Sequence, residues 1–255
     1  MISNLSYRVF YVWRRNFTVW QQYWYTTVVG SLGEPILYFV AIGYGLGSFI
    51  GSIEGIPYVQ FLAPAIMASS VMHAAAFETT YSSYTRMEVQ RTYYSIAVTP
   101  VSLEEVVAGE ILWAATKALL PGLAIFGASW LLGYTHSYLS LWALPILPLV
   151  GFLFGTIGML MTSFARDYDF FTYFFTLFLE PMFLFSGTFF PLSTLPLTIQ
   201  KIAWLLPLTH PVQLFRSLFQ GEVPDHLWWH LAYLLAVSSL LFLWTLRRMT
   251  RRLID

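Results

Sequence analysis

Two acids stand inside long apolar runs, and each precedes a proline: Glu34 in GEPILYF and Glu180 in LEPMFLF. A carboxylate in hydrocarbon is costly, so each must face protein or water. The proline removes one helix hydrogen bond and leaves backbone polarity beside the acid. The pair either lines a pathway or subunit contact, or caps backbone at two unrelated kinks. Glu110 and Lys117 also fall in an apolar run, seven residues apart and so on nearly one helical face. They are expected to pair with each other or with neighbouring spans. Glu78 stands near the polar end of its run, within reach of water. Residues 84 to 105, YTRMEVQRTYYSIAVTPVSLEE, form the longest mostly polar interruption. Pro100 discourages helix at Thr99, and Ser102 followed by Glu104 and Glu105 reads as an N-cap with acids in the first turn.

Other chemistry is missing. There is no GxxxxGK(S/T) phosphate loop, no serine elbow and no HExxH, so the chain cannot by itself power transport with ATP. His73, His136, His210, His226 and His230 show no metal-ligand spacing. Asp167-Tyr168-Asp169 has the form of a DxD sugar-nucleotide motif, with no nucleotide-binding domain around it. Inverted internal repeats, common in secondary transporters, are not evident.

Composition sets the frame. Hydrophobic residues make up 57% and charged residues 10%, against about 25% charged in soluble domains. With 19% aromatics and a mean hydropathy of +0.63, the chain reads as an all-α polytopic membrane protein. The absence of cysteine removes disulfide, zinc-ribbon and thiol chemistry. Zero net charge argues against a nucleic-acid partner. No short apolar core with a small-residue cleavage site opens the chain, so no cleavable signal is expected.

The elements that must position these residues follow from periodicity. Leu5, Val9, Trp13, Phe17, Trp20 and Trp24 recur at steps of three or four, and Arg8, Arg14 and Arg15 lie largely off that stripe. This predicts a helix within residues 1–25 lying in the membrane interface. Six spans of about 20 residues are then expected: about 27–50, 59–81, 100–132, 140–164, 170–185 and 227–246. Residues 186–226 carry Pro191, Pro196, Pro207 and Pro211 and are expected to form external or re-entrant half-helices covered by protein. With six spans the two termini share a side. That side collects Arg8, Arg14, Arg15, Arg86, Arg91, Arg166, Arg247, Arg248, Arg251 and Arg252, while Lys201 and Arg216 fall opposite. Ten against two makes it the cytoplasmic side. Phe170, Phe171, Tyr173, Phe174, Phe175 and Phe178 crowd the fifth span, where aromatic faces either stack on sugar rings or simply pack.

This order of elements, with EPILYFVAIGYGLG (34–47), QRTYYSIAVTPVSLEEVVAGEILWAATKALL (90–120), EPMFLFSGTFFPLSTLP (180–196) and LLPLTHPVQLFRSL (205–218), resembles the ABC-2 type permeases of type V ABC exporters. Within them it is most similar to the nodulation protein J group, which exports lipo-chitooligosaccharides. The resemblance implies one ABC-2 transmembrane domain over 1–255, in the bacterial inner membrane. It implies a homodimer bound to two copies of a separate ABC ATPase, which would hold the ATP and magnesium; no cofactor is expected in this chain. The 84–101 segment would be the coupling segment, with Arg86, Glu88, Gln90, Arg91, Thr92 and Tyr93, and with Arg166 and Asp167 nearby. Spans one, two and five would line the export path at the dimer interface, giving Glu34, Tyr38, Tyr44, Glu78, Tyr173 and Glu180 as candidate path residues. The function expected is export of an amphipathic glycolipid or lipo-oligosaccharide, without covalent chemistry. Drug or other lipid efflux on the same fold is the alternative, and a membrane-embedded transferase acting on lipid-linked sugars is a remote one.

Overall fold

A computed structural model describes residues 5–135 and 137–254, so His136 and both chain ends lie outside the described residues. The first helix, α1, spans Val9–Gln22 and buries Val12 and Asn16. The expected stripe is used for packing. Trp13, Phe17 and Trp20 stack in sequence, and each meets Trp113 edge-on. The approach is close because position 109 is glycine: a Cβ there would stand 2.6 Å from Val12 Cβ and 2.9 Å from the Val9 carbonyl.

Tyr23 leaves helical geometry, and α2 (Trp24–Ile50) begins at once. It carries Pro35 inside and a π-helical turn at Ala41–Leu46. A two-residue hairpin pairs Ser52–Ile53 with Ile56–Pro57, turning through Glu54 and Gly55 at positive φ. The centre of the protein is α3 (Tyr58–Val89), whose apolar window is 78% buried, against 11% for α2. Small residues allow this. In hydrocarbon, helices associate through close packing rather than a hydrophobic driving force. A Cβ on Gly158 would meet Thr79 Oγ1 at 2.3 Å and the Ala76 carbonyl at 3.0 Å.

After the polar segment comes a short helix, α4 (Thr92–Ala97), then α5 (Leu103–Leu131) and α6 (Tyr138–Thr162). The capping box expected at Ser102 is present: Glu105 N–H donates to Ser102 Oγ at 3.2 Å, and Ser102 N–H to Glu105 Oε2 at 2.8 Å. Glu105 also accepts from the Ser6 amide and hydroxyl, which ties the start of α5 to the chain before α1. Residues 169–185 form α7, a continuous helical run interrupted by a π-helical turn at Phe175–Leu179. At about 1.5 Å per residue it is about 25 Å long. Residues 186–226 contain α8 (Leu197–Ala203) and α9 (Thr209–Gln220), both too short to cross a bilayer. The last helix, α10, runs Leu227–Ile254.

Five helices among the described residues are long and apolar enough to cross a membrane: α2, α3, α5, α6 and α10. The expected fifth span, about 170–185, is present as α7 but is shorter than the other five. The second span exceeds its expected end at Tyr81 by two further turns. The polar segment therefore starts as the tip of α3, not as a separate helix. Arg216, in the stretch expected to be covered by protein, is buried: its guanidinium lies 3.7 Å from the Phe61 ring centre and donates to the Gly187 carbonyl at 2.6 Å.

Candidate functional site

Glu34 on α2 and Glu180 on α7 line one cavity of about 500 Å³, together with His73, Ser69 and Ser70 of α3 and Tyr38 of α2. His73 Nδ1 stands 2.9 Å from the Ser69 carbonyl, which requires a hydrogen on that nitrogen. Its Nε2 is 3.3 Å from Glu180 Oε1. Glu34 has no ion-pair partner within 4 Å among the described residues. Both acids are exposed to the open face of the chain. Most of the remaining lining is apolar, including Ile66, Phe175 and Phe183. The cavity thus offers carboxylates and hydroxyls interspersed among apolar side chains.

A second cavity, of about 470 Å³, opens towards the arginine-rich end; Thr27, Phe77 and Lys117 line both. Beneath it lies a buried charge cluster. Arg86 Nη2 donates to Glu110 Oε2 at 2.6 Å and to Glu78 Oε1 at 2.8 Å, and Arg86 Nε donates to Glu110 Oε2 at 3.0 Å. Lys117 Nζ donates to Glu78 Oε2 at 2.6 Å, Trp113 Nε1 to Glu78 Oε1 at 3.1 Å, and Asn16 Nδ2 to Glu110 Oε1 at 3.0 Å. One expectation is met here and one is corrected. Of the two arrangements expected for Glu110 and Lys117, pairing with a neighbouring span holds: both reach α3, Glu110 through Arg86 and Lys117 through Glu78. Glu78 is not at a watery end: its side chain is 2% exposed, since α3 continues past it.

The 84–101 segment divides its residues between interior and surface. Arg86 is committed to the charge cluster, and Tyr93 is fully buried, where desolvation raises its phenol pKa. Glu88 pairs with Arg252 of α10 at 2.9 Å. Gln90, Arg91, Tyr94 and Val98 are exposed; Arg91 adopts left-handed geometry, φ 52°, between the end of α3 and α4. Thr92 is half-buried. The Arg166 carbonyl accepts from Tyr84 Oη at 2.6 Å, so the neighbouring turn is fastened to this segment. Asp167 accepts the Phe170 amide at 3.1 Å at the start of α7. Arg166 and Asp167 both have exposed side chains.

The sequence matches the family model of the ABC-2 type transporter over residues 7–219. It is similar to nodulation protein J of Rhizobium leguminosarum bv. viciae, at 38% identity over 95% of this chain and 93% of that protein. Nodulation protein J of R. leguminosarum bv. trifolii is 41% identical over 83% of this chain and 80% of that protein. The chain belongs to the ABC-2 type transporter family. It is also similar to the inner membrane transport permease YadH of Escherichia coli K12, at 27% identity over 92% of each chain.

In this ABC-2 chain the candidate path residues are not all together. Glu34, Tyr38 and Glu180 share the acid-lined cavity, and Glu78 lines the arginine-side cavity. Tyr44 lies beyond both and shares a hydroxyl–hydroxyl hydrogen bond with Tyr134. Tyr173 lines neither cavity and is 65% exposed. His73, Lys117 and Arg15 are cavity residues that periodicity did not single out as path residues. Only the cost of a buried ionisable group flags Lys117. His210 and His230 meet through their Nδ1 atoms at 2.9 Å, and no group of three or more metal-ligating residues occurs among the described residues.

Proposed function

We propose that this chain is the permease subunit of an ATP-driven exporter that moves an amphipathic glycolipid or lipo-oligosaccharide out of the cytoplasm. It works as a homodimer with two copies of a separate ATPase, which bind the ATP and magnesium. The observation that carries the cargo class is the acid-lined cavity. Carboxylates and hydroxyls set among apolar side chains suit a ligand with a sugar-like head and a lipid tail, and suit a uniformly apolar drug less well. That contrast favours the lipo-oligosaccharide reading over general drug efflux.

The dimer is supported by the low burial of α2, 11% in its apolar window, and by the exposed Leu177, Phe178 and Leu184 of α7. A second copy over this face would enclose the cavity. With α7 as the sixth crossing both termini lie in the cytoplasm of a bacterial inner membrane, as ten arginines on one side require. The ATPase would then dock on the exposed Gln90, Arg91, Tyr94 and Val98, with Arg166 and Asp167 beside them. Arg86 and Tyr93 anchor that surface from within.

The test is the double variant Glu34→Gln with Glu180→Gln, which keeps size and hydrogen bonding and removes charge. Export per assembled complex should fall while assembly survives. Unchanged export with lowered stability would reduce both acids to structural roles and remove the cavity from the path.

A further inference from the structure

The arginine-side cavity has a charge surplus that its own ion pairs leave unanswered. Arg15, Arg86 and Lys117 line it, and they face the carboxylates of Glu78 and of Glu110 beneath. Arg86 and Lys117 are spent on these two acids. Arg15 is not: it donates to the neutral Asn16 amide at 2.9 Å and has no carboxylate within 4 Å among the described residues. Three cations against two anions leave one net positive charge in a partly dry space. A second donor is also idle: Trp20 Nε1, from the same wall of α1, is buried without a hydrogen-bond partner. A buried N–H left unpaired is costly, so a ligand that accepts from it is favoured.

The position of the cavity identifies the ligand class. It opens along α1, whose Tyr11 and Val19, with the following Tyr23 and Trp24, are exposed apolar or amphipathic side chains, the profile of a helix in the interface plane. Val19, Tyr23 and Phe77 supply apolar rim. Phe77, Thr27 and Lys117 also line the neighbouring, mainly apolar cavity. We infer that this cavity binds the phosphate head of an anionic phospholipid from the leaflet in which α1 lies, with Arg15 and Trp20 as its donors and the acyl chains leaving past Val19 and Phe77. Free phosphate shares the head chemistry but gains nothing from the apolar rim. The inference does not depend on the cargo or on the ATPase, because it concerns only the resident bilayer and this chain.

The permease, purified in a non-ionic detergent with whatever subunits remain bound, is titrated with phosphatidylglycerol, with phosphatidylcholine and with inorganic phosphate while its thermal unfolding is followed. At a hundredfold excess over the dissociation constant, a ligand of the folded state raises the folding equilibrium about 100-fold. Phosphatidylglycerol should raise the midpoint well above phosphatidylcholine. Losing one charge-assisted hydrogen bond weakens binding about tenfold to a hundredfold, so Arg15→Gln should abolish most of that difference. Trp20→Phe should reduce it in a protein whose lipid-free midpoint matches the parent, and it carries the test if Arg15→Gln fails to fold. Equal stabilisation by the two lipids, or a difference that survives Trp20→Phe and, where it folds, Arg15→Gln, overturns the inference. Full reproduction of the effect by inorganic phosphate overturns the lipid assignment.

Discussion

Arg86 is the sharpest point at which the structure departs from a surface-docking reading, and Arg86→Gln tests it. The guanidinium is 15% exposed and bridges two carboxylates that are 2% and 0% exposed. Removing it leaves Glu110 with only Asn16 and Ser83 as donors, at 3.0 and 3.2 Å. Glu78 would keep Lys117 and Trp113. Glu110 therefore bears most of the loss. Breaking a buried pair by deleting one partner costs about 3–5 kcal/mol, because a charge stays buried and uncompensated. At roughly 2–4 °C per kcal/mol for a chain of this size, the unfolding midpoint in detergent should fall by roughly 6–20 °C. Adding Glu110→Gln should restore part of it, since the orphaned charge goes too. An Arg86→Gln protein with an unchanged midpoint but reduced ATPase binding would refute this and return Arg86 to the docking surface.

Two other outcomes follow from the fold. Single cysteines can be placed freely because the chain has none; an impermeant thiol reagent applied to intact cells should label positions 194 and 222 and leave position 254 unlabelled, and outside labelling at 254 would mean an odd number of crossings. Burial, aided by His230, lowers the His210 pKa from 6.5 to about 4. Between these values the unfolded chain binds the proton that the folded one excludes, so this contribution is intact above about 6.5 and is lost as the pH falls towards 4. The thermal midpoint of the parent should therefore drop more steeply over that range than that of His210→Gln; parallel profiles would show that the His210–His230 contact does not control acid stability.

The helices and their approximate ends were legible because long apolar runs and a three-to-four-residue stripe are local signals. The Trp13–Phe17–Trp20 face is one case, and the Ser102–Glu105 capping box is another. The convergence of Glu34 and Glu180 was half legible: the shared Glu-Pro step marked both, and the cavity joins them. What stayed hidden depends on partners distant in sequence. Glu110 and Lys117 share a helical face, yet Lys117 turns to a residue 39 positions away and Glu110 to Arg86 and Asn16. Periodicity reports which face a residue occupies, not which neighbouring helix offers the counter-charge. The π-helical turns at Glu78–Ser82 and Thr85–Val89 were equally invisible, and they carry α3 into the segment that reads as a separate polar helix. Tyr44 and Tyr173 show the limit for aromatics, since a residue in the right span can still face away from the cavity.

The central claim is tested most directly in inside-out membrane vesicles that contain this chain and its ATPase partner. The account predicts that a labelled lipo-oligosaccharide accumulates inside them only when ATP and magnesium are supplied. Omission of the ATPase should abolish accumulation, and Arg91→Ala with Glu88→Ala should strongly reduce it. Accumulation that proceeds without the ATPase, or that a proton gradient alone sustains, would contradict it.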